Sequence, residues 1–347
     1  MKKTTSNQKY SRADALALKR GGMAAAMMEI SGHARFDSVD AASIWMASEL
    51  DAVKSKSYDK LYPELMALQC FPVNGDADPG AETITYYTYD LEGLAKIIDN
   101  YSTDLPRADV NGVPHSAIVK SVGVSYGYSA QEMRASRMAH KSLDSRKAEA
   151  ARFQSDNTIN TIAWKGDPKH NLLGVLSTQQ NIPIFTITAG ATSGKTKWLE
   201  KTAEEILGDI KAMYAQVART TKNVEHPDTL LLPNDVYTEL SMSRLDYTGE
   251  TVLSFIESHA PGLKEVKSCA ELNHDSVETN PYAAASGGQG VALLYTNSAD
   301  KLEINNPMAF LQYPVQVKGL ESVVPCEART AGVIVFYPMS AMIALGV

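Results

Sequence analysis

Residues 129–165 read SAQEMRASRMAHKSLDSRKAEAARFQSDNTINTIAWK and contain neither glycine nor proline. The run begins with Ser129-Ala130-Gln131-Glu132, the pattern of a capping box, in which the serine hydroxyl and the glutamate carboxylate each accept a hydrogen bond from a backbone N–H. The run predicts a helix of roughly 50 Å, at about 1.5 Å per residue, that ends at Gly166-Asp167-Pro168. The apolar or small residues that recur at helical spacing are Met133, Met138, Ala139, Leu143, Ala151, Phe153, Ile159 and Ile162.

A long β-hairpin is predicted directly before this helix. Glu82–Leu91 is rich in β-branched and aromatic residues, which are typical of a strand, and Ser116–Tyr128 is its expected partner. A mostly polar stretch lies between them and contains Leu105-Pro106 and Asn111-Gly112, which makes the connection longer than an ordinary hairpin loop. A flap of this size has little core of its own, so we expect it to lie on another surface.

The region before the hairpin divides into two parts. Residues 1–40 are polar and basic at first and then small and apolar, which is typical either of a frayed terminus or of an arm ordered by a neighbouring subunit. Ala41–Tyr62 has a helical pattern, and Pro63 is expected to end that helix.

Strands and helices alternate after the long helix. Ile182–Thr188 is predicted to be a strand, and a second amphipathic helix is expected to begin near Trp198 and to run to Val217. From Asp228 onward the pattern is α/β, and the last part of the chain is β. The predicted strands are Leu230–Leu232, Leu263–Lys267, Val291–Tyr295, Ala309–Val317, Leu320–Val324 and Val333–Tyr337, and the predicted helices are Val236–Met242 and Val252–Ser258.

Composition limits the class of protein. The chain has 347 residues, of which 44% are hydrophobic and 21% are charged, so it can form a sizeable core. The formal net charge of −7 argues against a dedicated nucleic-acid binder, but it allows a container that encloses nucleic acid without gripping it. Length alone favours two domains, or one domain with a large insertion.

Cysteine usage and hydropathy indicate a compartment. Cys70, Cys269 and Cys326 are far apart and form no CxxC or metal-ligand spacing, so a reducing compartment is expected. The apolar run Met23–Ile30 is too short for a signal peptide, and no stretch approaches the roughly 20 apolar residues of a membrane span. We therefore expect a soluble protein that is made in the cytoplasm.

Residues 189–196, Ala-Gly-Ala-Thr-Ser-Gly-Lys-Thr, approach the pattern of a phosphate-binding loop. In such a loop the backbone N–H groups bind phosphate, the lysine contacts the β- and γ-phosphates, and the threonine ligates Mg²⁺. Three features weaken this interpretation: the strict first glycine is absent, the following helix begins near Trp198, and no strand ends in an aspartate suited to Mg²⁺. A structural turn is the favoured interpretation.

Metal and catalytic motifs are also weak. Asn74-x-Asp76-x-Asp78 resembles the start of a calcium loop, but Pro79 replaces the required glycine and Thr85 the bidentate glutamate. Three histidines are followed by a carboxylate four residues later, and none of these pairs has an indicated third ligand. The pairs are His33 with Asp37, His140 with Asp144, and His274 with Glu278. We predict no catalytic, metal or cofactor site.

The order of elements resembles a known family. A polar arm, a helix, a long hairpin, a long helix, an inserted α/β unit and a closing β segment follow one another as in the major capsid proteins of tailed phages. These have the α+β Hong-Kong-97-like fold, which encapsulin shells share. The local sequences that carry the resemblance are Gly123–Glu132, Gly166-Asp167 with Asn171–Gly174 after it, Ala203–Met213 and Asp228–Pro233.

The resemblance implies a division of the chain. Residues 1–40 would be the N-terminal arm, 82–128 the extended loop that overlaps the adjacent subunit, and 228–308 the axial domain. The peripheral domain would comprise 41–81, 129–227 and 309–347, with the spine helix over 129–163. Some relatives join an extended-loop lysine to an asparagine of a neighbour, but nothing around Lys96 supports that chemistry, and it is not carried over.

The function that the resemblance implies is structural. Copies of the chain would self-assemble into hexamers and pentamers of an icosahedral shell around phage double-stranded DNA, in the virion capsid and after assembly in the host cytoplasm. Scaffolding, portal and decoration proteins are further possible partners, and no membrane, cofactor or enzymatic activity is expected. The alternatives are an encapsulin-like nanocompartment shell and a nucleotide-binding protein that uses residues 189–196.

Overall fold

The computed structural model describes residues 62–97, 105–139, 143–245, 249–260, 262–283 and 290–347. The predicted arm over 1–40 and nearly all of the predicted helix Ala41–Tyr62 lie outside these residues. Residues 63–347 belong to one compact unit.

The long helix is confirmed in two described segments, with residues 140–142 outside the description. Its capping box is present: the Glu132 N–H donates to Ser129 Oγ at 3.1 Å, and the Ser129 N–H donates to Glu132 Oε2 at 3.2 Å. It ends at Gly166, whose φ of +79° is readily adopted only by glycine. The described helices are α1 (Ala67–Cys70), α2 (Ala130–Ala139), α3 (Leu143–Lys165), α4 (Ala203–Thr220), α5 (Asn234–Met242) and α6 (Val252–His259).

The strands form three sheets and a separate hairpin. The strands of the first half are β1 (Val73–Asn74), β2 (Thr83–Gly93), β3 (Ala108–Ile118), β4 (Lys120–Ser129), β5 (Gly166–Asp167), β6 (Leu172–Leu173), β7 (Ile184–Thr186) and β8 (Thr229–Pro233). Those of the second half are β9 (Glu265–Cys269), β10 (Val291–Tyr295), β11 (Leu302–Asn305), β12 (Met308–Gln312), β13 (Gln316–Lys318), β14 (Glu321–Thr330), β15 (Gly332–Val335) and β16 (Ala341–Leu345). Sheet I has the order β1-β11-β15-β6-β5, sheet II has the order β7-β16-β10-β8-β9, and in sheet III β14 pairs with β12, β13 and β4.

Sheet II has both faces covered. All residues of β8 and β10 are buried, and successive side chains point to opposite faces. Leu231 and Leu293 pack in one apolar cluster with α3 and sheet I, whereas Leu230 and Leu294 pack in a second cluster with α4, α5 and α6. The continuous apolar runs therefore reflect burial on both sides, as in a sheet enclosed between layers.

The predicted partner of the first hairpin strand is mostly wrong. β2 pairs with β3, and only Ser116–Ile118 of the predicted partner takes part in that pairing. Lys120–Ser129 instead pairs with Glu321–Thr330 in sheet III. Asn111-Gly112, which was expected to lie in the connection, is within β3 opposite Tyr89 and Asp90. Because β3 and β4 are separated only by Val119, one continuous extended segment serves two sheets.

Several strands and one helix start were missed or misplaced. No predicted strand corresponds to β1, β5, β6, β11 or β16, although β16 lies inside sheet II between β7 and β10. Trp198–Glu200 is a short 3₁₀ turn, and α4 begins only at Ala203. β16 pairs with β10, and α4 packs in the same apolar cluster as sheet II. The predicted domain division stays a prediction.

Within the described ranges, no helix combines the length and the hydropathy needed to span a membrane.

Candidate functional site

The hairpin β2–β3 is exposed over most of its length. Its two strands pair over eleven positions, from Thr83 opposite Ile118 to Gly93 opposite Ala108, and no other described strand joins them. Every described residue from Tyr89 to Ser116 is exposed. Several of these are large and apolar, with Leu91 82% and Leu94 83% exposed. The hairpin therefore presents apolar surface that nothing in its own chain covers among the described residues.

The base of the hairpin is held to the rest of the unit. The Tyr86 ring packs edge-on against Phe336, with centroids 4.9 Å apart, and stacks on His115 at 5.1 Å. The Val119 N–H donates to the Glu82 carbonyl at 2.8 Å. Among the described residues, these contacts lie at the base of the hairpin, whereas the apolar side chains toward its far end, such as Leu91 and Leu94, are exposed.

A lysine on α3 joins the end of β4 to α2. Lys147 Nζ, on α3, donates to the Gly127 carbonyl at 2.7 Å and to Glu132 Oε2 at 3.1 Å. The hydrogen bond from Lys147, followed by that from the Ser129 N–H, lowers the pKa of Glu132 below its ordinary value. The hairpin segment and the long helix thus meet at a junction fixed by three polar residues.

The loop over 189–196 is closed by a carboxylate of the protein. Glu205 Oε1 accepts hydrogen bonds from the N–H groups of Thr192, at 2.7 Å, and Ser193, at 3.1 Å. A Cβ added at Gly190 would lie 2.4 Å from the Glu205 carboxyl group. The backbone donors that would bind phosphate in a nucleotide site are thus engaged by Glu205.

Two further features separate this loop from a phosphate site. Lys195 pairs with Glu200 at 3.1 Å, and α4 begins seven residues after Thr196, so the Lys-Thr pair is not at a helix start. The interpretation of residues 189–196 as a turn between a strand and a helix agrees with this geometry.

The metal motifs do not form sites among the described residues. Asn74 Oδ1 accepts the Asp76 N–H at 2.8 Å, and Asp78 Oδ1 accepts the Gly80 N–H, so these oxygens stabilise a turn. His274 lies 4.0 Å from Asp235. The pairs of His33 and His140 involve residues outside the description. No group of three potential ligands occurs in the described part of the chain.

An apolar groove of about 730 Å³ lies between α4 and α6. Two of its titratable groups have partners: Glu225 pairs with Lys301 at 2.6 Å, and His259 stacks on Phe255 at 4.3 Å. Burial raises the pKa of the Tyr214 hydroxyl, which also lines the groove. Among the described residues that line the groove, no nucleophile is hydrogen-bonded to a side-chain base, which is the arrangement typical of an active site.

A buried polar cluster joins three distant segments. Asn160 Oδ1, on α3, accepts the Ala67 N–H at 2.9 Å, and Asn160 Nδ2 donates to Glu271 Oε1 at 3.1 Å. Glu271 Oε1 also accepts the Met66 N–H at 2.8 Å. This cluster holds the start of α1 in the core. No local sequence signal indicated it, because its members are separated by up to 205 positions.

Several solved structures share this architecture. The chain superimposes on a protein of the capsid of Myoviridae phage XM1 with a TM-score of 0.73 and 18% identity, covering 88% of this chain and 100% of that one. For a chain of Mycobacterium phage Bobi the TM-score is 0.58 and the identity 15%, covering 86% of this chain and 97% of that one. For the capsid of an empty GTA particle the TM-score is 0.59 and the identity 9%, covering 89% of this chain and 99% of that one. These similarities show that the chain has the Hong-Kong-97-like fold.

The family model of the major capsid proteins matches residues 93–347, and the chain belongs to that family. It is a shell-forming structural protein of the virion capsid that associates with copies of itself. No curated protein matches the chain in sequence. The expected fold, family and structural role are confirmed, and the encapsulin alternative is not favoured.

Proposed function

We propose that copies of this chain assemble into hexamers and pentamers of an icosahedral shell that encloses phage double-stranded DNA. In this proposal the hairpin β2–β3 of each copy lies across the adjacent copy. The observation that carries the proposal is the uninterrupted exposure of the described residues from Tyr89 to Ser116, with apolar side chains among them.

The physical argument concerns the stability of the hairpin. A two-stranded hairpin is marginally stable in water unless its faces are covered, and contiguous exposed apolar surface marks an interaction site. A neighbouring copy can cover it, and a contact repeated by symmetry needs only a modest area per subunit to close a shell. The exposed apolar residues of this surface are Tyr89, Leu91, Leu94, Ile97, Leu105, Val110 and Val113.

The proposal is tested with the double variant Leu91→Asp/Leu94→Asp. Two carboxylates at this surface would be desolvated on docking, so we expect shells to be lost and the protein to sediment as small species. Electron microscopy and analytical ultracentrifugation of the purified chain measure this, and circular dichroism checks that the subunit is still folded.

Val224→Asp is the matched control, because Val224 is 73% exposed and lies outside the hairpin. It should assemble like the unmodified chain. Normal shells from the double variant would contradict the docking of the hairpin.

The shell would hold DNA without binding it tightly. Strong contacts between basic side chains and phosphates would hinder packaging and release, and the net charge of −7 is suited to a container of this kind. Scaffolding, portal and decoration proteins are proposed as further partners, with assembly in the host cytoplasm.

We further propose that the chain is not an enzyme. Two observations support this: Glu205 accepts hydrogen bonds from the N–H groups of the loop over 189–196, and Glu225 in the groove is paired with Lys301. Nucleotide hydrolysis that is abolished by Lys195→Ala would contradict it. The division into an extended loop over 82–128, an axial domain over 228–308, and a peripheral domain over 41–81, 129–227 and 309–347 is likewise a proposal.

A further inference from the structure

Two of the three cysteines face each other in the core. The Sγ atoms of Cys70 and Cys269 are 3.8 Å apart, and both residues are fully buried. Cys70 is the last residue of α1, and Cys269 is the last residue of β9. Cys326 lies in β14, and its Sγ contacts the Val324 carbonyl at 3.8 Å.

The backbones that carry the two thiols are held in place independently of the sulfur contact. The Tyr295 hydroxyl donates to the Cys70 carbonyl. Asn160 and Glu271 bind the first N–H groups of the α1 segment, as described above. A disulfide needs its sulfur atoms about 2.05 Å apart, so each sulfur would move by roughly 0.9 Å, which side-chain rotation can supply.

We propose that Cys70 and Cys269 are a modification site at which an intramolecular disulfide forms when the protein meets a small oxidant of the peroxide class. One thiolate attacks the peroxide, the O–O bond breaks, and a sulfenic acid and hydroxide form. The second thiol then attacks the sulfenic sulfur, the S–S bond forms, and water leaves. In sum, two thiols lose two protons and two electrons, and hydrogen peroxide takes up both and is reduced to two molecules of water.

The surroundings determine when this reaction occurs. The hydrogen bond with Cys70 and burial raise the pKa of the Cys269 thiol, so this thiol reacts slowly. A reducing cytoplasm keeps such a pair reduced, whereas a released particle is in oxidising surroundings. The bond would join residues 199 positions apart and would tie the α1 segment to sheet II. It is internal to one copy, so it does not depend on the proposed shell geometry.

The experiment uses the purified full-length chain, treated either with dithiothreitol or with hydrogen peroxide. Free thiols are counted after denaturation, and a proteolytic digest without reduction is searched by mass spectrometry for peptides that join Cys70 to Cys269. We expect two of the three thiols to disappear together, the linked peptide to appear, and the midpoint of thermal unfolding to rise by roughly 5 °C or more.

Cys326→Ser should retain the linked peptide and the shift in midpoint, and Cys70→Ser and Cys269→Ser should lose both. The measurement on the unmodified chain stands even if a variant does not fold. Three thiols remaining after peroxide, oxidation to sulfinic acid without a linked peptide, or a bond to Cys326 or between copies would each overturn the proposal.

Discussion

At the residue scale, the Glu205 carboxylate binds backbone N–H groups that would bind phosphate in a nucleotide-binding loop. Oε1 accepts the N–H groups of Thr192 and Ser193, and Oε2 accepts the Thr202 N–H at 3.1 Å at the start of α4. The hydroxyl of Ser193, followed by these backbone N–H groups, lowers the pKa of Glu205 from 4.5 to about 2. A loop that resembles a phosphate site is therefore stabilised by an anion that the protein itself supplies.

Glu205→Gln should remove the pH-dependent contribution of the Glu205 carboxylate to the free energy of unfolding. Because the folded protein holds the pKa of Glu205 below its ordinary value, the charged carboxylate contributes stability that is complete above about pH 4.5 and is lost as the pH falls toward 2. We expect the variant to unfold at a lower temperature than the unmodified chain at pH 7. Thermal unfolding followed by circular dichroism should show this difference shrinking between about pH 5 and pH 2.

Glu204→Gln is the matched control for this measurement, since Glu204 is the neighbouring exposed carboxylate on the same helix. It should leave the low-pH limb of the unfolding curve unchanged. A constant difference between Glu205→Gln and the unmodified chain across the whole pH range would show that the charge of Glu205 does not stabilise the loop.

Among the elements, the start of α2 links the hairpin segment to the long helix. Ser129 is the last residue of β4, where it lies opposite Glu321, and its hydroxyl also accepts the Glu132 N–H. One residue thus ends a strand and caps a helix, and Lys147 adds a contact from α3. The direction in which the chain leaves sheet III is therefore set by a few hydrogen bonds.

Ser129→Ala should destabilise this junction. Loss of an N-terminal cap leaves a backbone N–H without its partner and costs about 1 kcal/mol of the free energy of unfolding. Urea unfolding of the variant measures this. Gln131→Ala, an exposed change in the first turn, should stay within about 0.5 kcal/mol of the unmodified chain. Equal stability of Ser129→Ala and the unmodified chain would contradict the capping role.

At the scale of the whole molecule, one apolar cluster connects sheet I, sheet II and α3. Phe71 lies at its centre, with its ring centroid 5.1 Å from that of Trp164 on α3 and 5.4 Å from that of Tyr295 in sheet II. Ile304 and Val333 of sheet I are in the same cluster. Because the sheets share this core, we expect them to unfold together.

Phe71→Ala should test this shared core. Removal of a buried phenylalanine side chain leaves a cavity and costs about 3–5 kcal/mol, and Phe71→Leu should cost less because more of the volume is retained. Denaturant unfolding followed by tryptophan fluorescence and by circular dichroism should shift equally for both probes. Val73→Ala, at a half-exposed position nearby, is the control. Separate transitions for the two probes would contradict a common core.

Features whose energetics depend on residues a few positions apart could be predicted from the chain alone. The capping box at Ser129, the end of the helix at Gly166 and the strand Val291–Tyr295 are examples, and each is present in the structure. Local hydrogen bonds and side-chain periodicity decide such features. The order of these elements was also enough to indicate the capsid family, which the family model confirms.

Features that depend on distant residues were decided by packing. An extended strand pattern has no preferred partner of its own, so the pairing of β3 with β2 and of β4 with β14 could not be read from residues 108–129. Three other features arise in the same way: the place of β16 between β7 and β10, the hydrogen bonds of Glu205 to the loop, and the contact of Cys70 with Cys269. The physical reason is that burial and hydrogen-bond satisfaction are properties of the whole folded chain, and no short window of sequence contains both partners.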